Sequence, residues 1–101
     1  MSIEKKYLKT KPVCKVKFSL TGDPYVDAIS IHVVGDFNEW KPGVHSMKKA
    51  RTGEWSVQVD LPAGSPCQFR YLIDESVWDN DPGADGSVDN GLGSENSVLE
   101  L

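Results

Sequence analysis

Long apolar runs are missing from this 101-residue sequence, and so is any stretch with helical periodicity. Nothing approaches the roughly 20 apolar residues that a membrane-spanning helix needs. The early lysines Lys5 and Lys6 are followed by no apolar segment, so a secretory signal is not read there. The expectation is a cytoplasmic protein without a membrane partner. Cysteine is scarce: Cys14 and Cys67 are too few for a disulfide scaffold and read as reduced thiols packed like small apolar groups. There is no Gly-x-Ser-x-Gly and no glycine-rich loop opening a helix, which excludes the nucleophile elbow and the phosphate cradle. Cys14, His32, His45 and Cys67 lack the spacing of zinc ligands, and both histidines read as incidental. No metal and no cofactor are expected.

The net charge of -4 conceals an asymmetry. Residues 1–17 hold six lysines against one glutamate, whereas residues 74–101 hold eight acids and neither lysine nor arginine. A basic tail suits an anionic partner. Here Lys15 and Lys17 alternate with Val16 and Phe18, as on the wet face of a strand, and no aromatics interleave with the lysines. Nucleic acid is not an expected partner.

What the sequence has in abundance is two-residue alternation. Cys14, Val16, Phe18 and Leu20 mark one face of a strand over 13–20; Trp55, Val57, Val59 and Leu61 mark another over 54–61. Cys67, Phe69, Tyr71 and Ile73 do the same over 67–73, leaving Gln68, Arg70 and Leu72 outward. Further strands are predicted at 28–35, briefly at 46–50 with Met47 inward, and at 97–101. Residues 1–12 read as a loosely ordered segment and 79–95, rich in Gly, Asp, Asn and Ser, as a loop. Short strands with turn signals about every ten residues predict an all-β, immunoglobulin-like antiparallel β-sandwich, one domain over residues 13–101.

The chain is organised around Ile29–Trp40. Ile29, Ile31 and Val33 form the inward face of a strand, Gly35-Asp36 breaks it, and Phe37 plugs the core edge so that Trp40 points out. Trp40 is then either a ligand platform or a cover over the end of the sandwich. A second outward tryptophan, Trp78, and the outward Arg70 extend the first reading. Sugars offer an apolar face to an aromatic ring and hydroxyls to a guanidinium fork, and Asn96 adds a donor and an acceptor. Glycosidase chemistry needs two carboxylates across a cleft. Asp74, Asp79, Asp81, Asp85 and Asp89 read instead as exposed turn residues, and no catalytic residue is expected. Asp81-Pro-Gly-Ala-Asp85-Gly86 departs from a calcium loop at Gly83 and Leu92.

Six blocks carry a resemblance: residues 33–40 (Val-Val-Gly-Asp-Phe-Asn-Glu-Trp), 53–55, 60–64, 69–74 (Phe-Arg-Tyr-Leu-Ile-Asp), 78–82 and 95–101. In this order they resemble family 48 of the carbohydrate-binding modules, found beside isoamylase-type and branching enzymes and in the AMP-activated kinase beta subunit. The resemblance implies a non-catalytic sandwich that docks on an α-1,4-glucan or malto-oligosaccharide, with a separate glycogen- or starch-metabolising enzyme as a further partner. It matches Trp40 and Trp78 to the gripping tryptophans, Arg70 to a lysine, and Leu92, Ser94 and Asn96 to the last-loop contacts. One departure bears on geometry: Asp74-Glu75-Ser76-Val77-Trp78 is a residue longer than the family's turn, and a one-residue slip would turn Trp78 to the other face. The alternative is a protein-interaction or scaffold domain that no longer reads sugar.

Overall fold

The computed structural model describes residues 3–22, 25–81, 83–91 and 93–101. Among the described residues, nine strands form two antiparallel sheets, the all-β sandwich expected. They are β1 (Ile3–Tyr7), β2 (Val13–Leu20), β3 (Ile31–Gly35), β4 (Lys48–Lys49), β5 (Trp55–Pro62), β6 (Cys67–Ile73), β7 (Val77–Asp79), β8 (Gly86–Asp89) and β9 (Glu95–Leu99). One sheet runs β1-β2-β5-β4; the other runs β3-β6-β9-β8, with β7 also on β6.

The inward faces predicted by alternation meet in one core. Cys14, Val16 and Phe18 are fully buried on β2, as are Phe69 and Tyr71 on β6, and Trp55 and Met47 are buried as expected. Phe18 is the hub: its ring centre lies 5.1 Å from Phe69 and 6.2 Å from Phe37. Both cysteines are buried free thiols. Burial pushes the Cys67 thiol up to about 11, with Asp36 adding to the effect.

Several expectations change. Residues 1–12 contain β1, which pairs with β2 along its length from Ile3↔Phe18 to Tyr7↔Cys14. Only Ile3 of that strand is buried, so it carries almost no alternation to read. Strand β8 lies within the segment predicted as loop; all four of its residues are exposed, and its order comes from pairing with β9. Ile29 is not an inward strand residue but 87% exposed. Its amide and that of Ser30 are held by the Asp74 carboxylate, which starts β3 two residues later. Asp81 is buried rather than exposed: it accepts the Tyr71 hydroxyl proton and the Gly83 amide proton, and its own amide donates to Ser97 Oγ. Burial and then the Asp81 charge raise the Tyr71 phenol far above its usual range.

β6 positions the site. One edge pairs with β3 from Phe69 to Ile73. The other is shared: Cys67–Phe69 pair with β9, and Tyr71–Ile73 pair with β7. Arg70 is left at the seam between them.

Candidate carbohydrate-binding site

The loop carrying Trp40 is built by Gly35-Asp36-Phe37-Asn38. Gly35 packs so closely on β6 that a Cβ there would stand 2.4 Å from the Gln68 carbonyl oxygen, so only glycine fits. Asp36–Asn38 make a single 3-10 turn, and Glu39 and Trp40 follow in the left-handed region at φ 57° and 58°. Such a conformation costs a non-glycine residue roughly 1–2 kcal/mol. It is held by Trp40 N–H donating to the Gly35 carbonyl at 2.9 Å and Lys41 N–H donating to Asn38 at 3.2 Å. Phe37 packs against the core beneath, as predicted.

Trp78 reaches the same face from β7. Asp74 and Glu75 are both left-handed, and Ser76 N–H donates to the Ile73 carbonyl. The longer turn is thus absorbed before the strand begins, and Trp78 pairs with Leu72, which the alternation predicts outward but which is buried at this pairing. No slip occurs: Trp78 shares its face with Arg70 and remains 42% exposed.

Among the described residues, Trp40, Arg70, Trp78, Asn90 and Asn96 line one cleft of about 440 Å³, within the roughly 300–1,000 Å³ of small-molecule sites. The Arg70 guanidinium lies over the Trp78 ring at 5.5 Å, and its buried Nε has no hydrogen-bond partner. A chain of hydrogen bonds runs beneath the cleft. Trp40 Nε1 donates to one Asp36 oxygen at 3.1 Å, Gln68 N–H donates to the other at 2.8 Å, and Asn96 Nδ2 donates to Gln68 Oε1 at 3.0 Å. The Trp40 indole and the Asn96 carboxamide are thereby linked through Asp36 and the β6 residue Gln68, while Arg70 is placed by the Trp78 ring.

Four of the six predicted site residues therefore come together. Ser94 does not line the cleft; it closes the β8–β9 loop, accepting from Asn90 N–H at 3.0 Å and donating its own N–H to Asn90 Oδ1. Leu92 lies outside the described residues. Asn90 was not predicted; its only signal was its place in the Asp89-Asn90-Gly91 turn. Asp36 and Gln68, which set the orientation of the lining groups, read in sequence only as a loop acid and an outward polar residue.

None of the acids considered for hydrolysis is among the lining residues. Asp74 caps Ile29 and Ser30, Asp79 accepts the Tyr25 hydroxyl proton at 2.7 Å, Asp85 pairs with Lys5, and Asp89 accepts from Gly91 N–H. Burial and the Asp79 bond push the Tyr25 phenol up to about 12. Among the described residues no group of three or more His, Cys, Asp or Glu side chains could hold a metal, and no helix is long and apolar enough to cross a membrane.

The fold is an all-β sandwich with a cleft lined by aromatic and polar side chains on one face. In sequence the chain is 34% identical to the 1,4-alpha-glucan-branching enzyme of Solanum tuberosum over 53 residues, 46% of this chain and 6% of that enzyme. No protein-family model matches. In structure it is similar to the ferric enterobactin esterase of Salmonella typhimurium, with a TM-score of 0.75 and 16% identity over 99% of this chain and 34% of the esterase. The enterobactin esterase of Shigella flexneri gives a TM-score of 0.73 and 20% identity, over 99% of this chain and 32% of that one. The chain thus spans about a third of each esterase and a small part of the branching enzyme. At these identities the esterases share the fold alone.

Proposed function

We propose that this chain is a non-catalytic carbohydrate-binding module of the family 48 type that docks on α-1,4-glucan. The carrying observation is the convergence of Trp40, Arg70, Trp78 and Asn96 on one cleft from four separate parts of the sequence. The partial likeness to a glucan-branching enzyme supports the choice of ligand. The two indoles stack on glucose rings, while Arg70 and the carboxamides of Asn90 and Asn96 bond the hydroxyl rim. A stacked ring removes roughly 100 Å² of apolar surface from water, worth about 2.5 kcal/mol. Two such rings, less the cost of association, give affinities of roughly micromolar to millimolar order. That range suits a module riding on a polymer beside a glycogen- or starch-metabolising enzyme in the cytoplasm. Calorimetric titration with maltoheptaose tests the reading, and absence of heat and of NMR shifts at millimolar sugar overturns it.

The second reading, a scaffold or protein-interaction role without sugar binding, draws on the structural neighbours, which are named for enterobactin rather than glucan. It predicts that maltoheptaose leaves the Trp40 and Trp78 indole resonances unmoved.

A further inference from the structure

Asn38 is buried two residues before Trp40, and its side chain makes three hydrogen bonds. Its neighbour Gly35 N–H, at 2.9 Å, can be received only by the carbonyl oxygen, Oδ1, and this fixes the orientation of the amide. The two protons on Nδ2 then go to the Val33 carbonyl at 2.8 Å and to His45 Nδ1 at 3.0 Å. His45 must therefore present a lone pair at Nδ1 and carry its proton on Nε2. Its backbone is pinned as well, the carbonyl accepting Val33 N–H at 2.9 Å, and its ring meets Phe37 edge-on at 5.4 Å.

We propose that His45 is a positioning residue for the Trp40 platform, acting through the Asn38 carboxamide and only while its imidazole is neutral. The inference rests on the glucan-binding reading given above. A charged imidazole turns an N–H against the N–H of Asn38. Flipping the amide to meet it abandons Gly35 N–H, so one buried donor loses its partner in either arrangement. Gly35 is also the residue whose carbonyl holds Trp40 N–H, so the loss is passed to the loop that carries the indole.

The titratable and charged groups on the surrounding elements are His32 on β3, Asp36, Glu39 and Lys41 on the turn, and Arg70 on β6. Asp36 is committed to Trp40 and Gln68, Glu39 pairs with Lys41 at 3.4 Å, and His32 bonds Ser46. Burial alone lowers the His45 pKa, so the neutral form prevails at neutral pH. The sign follows: the folded loop is favoured fully above the ordinary histidine range, and the advantage drains as pH falls through the lowered value.

The test is a pair of pH titrations on the full chain. Without sugar, NMR follows the His45 ring, the Gly35 amide and the Trp40 indole N–H; all three move with one midpoint on the acid side of the ordinary histidine value. With maltoheptaose, affinity falls roughly fivefold to tenfold across that midpoint. His45→Gln, which keeps a neutral acceptor at every pH, flattens the affinity profile, whereas His32→Gln leaves it unchanged. A Gly35 amide that ignores the His45 titration overturns the proposal, as does a pH dependence that survives in His45→Gln. Absence of sugar binding at every pH defeats the glucan reading instead, and the sugar-free titration still decides the role of His45.

Discussion

The guanidinium of Arg70 lies over the indole of Trp78, 5.5 Å from the ring centre, at the seam where β6 passes from β9 to β7. One face of Trp78 is thus covered by its own chain, while the residue remains 42% exposed. Arg70→Lys keeps the charge but loses the planar stack and the fork of donors. Maltoheptaose affinity is expected to fall roughly threefold to tenfold, with a change in the near-ultraviolet circular dichroism of the tryptophans. An unaltered spectrum and affinity would show that the stack orients nothing.

Asp36 uses both carboxylate oxygens, one for Trp40 Nε1 and one for Gln68 N–H. Asp36→Ala frees the indole and leaves the Gln68 amide without its partner. Urea denaturation should show a loss of about 1–3 kcal/mol, and the sugar affinity should drop alongside. A variant that loses stability but binds normally would assign Asp36 to the fold and not to the platform.

Gly35 is extended, so its need is space rather than backbone freedom. A methyl group there meets the Gln68 carbonyl oxygen and Phe69 Cβ, both backbone-anchored. Gly35→Ala should cost about 1–3 kcal/mol or more by forcing β3 and β6 apart. Thermal unfolding measures it; a midpoint equal to that of the parent would mean the two strands part without cost.

The start and end of the described chain are clasped by Asp85, which pairs with Lys5 and accepts the Glu100 amide proton, while Lys5 also donates to the Glu100 carbonyl. The Lys5 bond first, and then the Glu100 amide, hold the Asp85 carboxyl below its usual range. Its stabilisation is therefore complete above the ordinary aspartate value and is lost as pH falls through the lowered one. Asp85→Asn should be less stable than the parent at neutral pH, with the gap closing in acid. Denaturation curves across pH test this, and a gap that stays constant would contradict it.

How much of this was legible depended on whether a residue's role was local. Val57 to Leu61 and Cys67 to Ile73 announce themselves because each inward side chain repeats every second residue. That same period put Arg70 outward. Trp40 and Trp78 stood out as large rings beside turn residues. Strands β1 and β8 did not, since one buries a single isoleucine and the other buries nothing; both are ordered by partners distant in sequence. Asp81 looked like a turn acid because its partners, Tyr71 and Ser97, are ten and sixteen residues away. Asn90 entered the cleft through the β8–β9 pairing, and the His45 bond to Asn38 depended on a loop closure that no spacing rule encodes.

Two indoles from distant parts of the chain are proposed to grip one glucan. Calorimetric titration of maltoheptaose into the parent, Trp40→Ala and Trp78→Ala, with each variant's fold checked by NMR, measures it most directly. Binding by the parent, and a loss of tenfold or more in each folded variant, is the predicted result. Equal affinity in all three would contradict it.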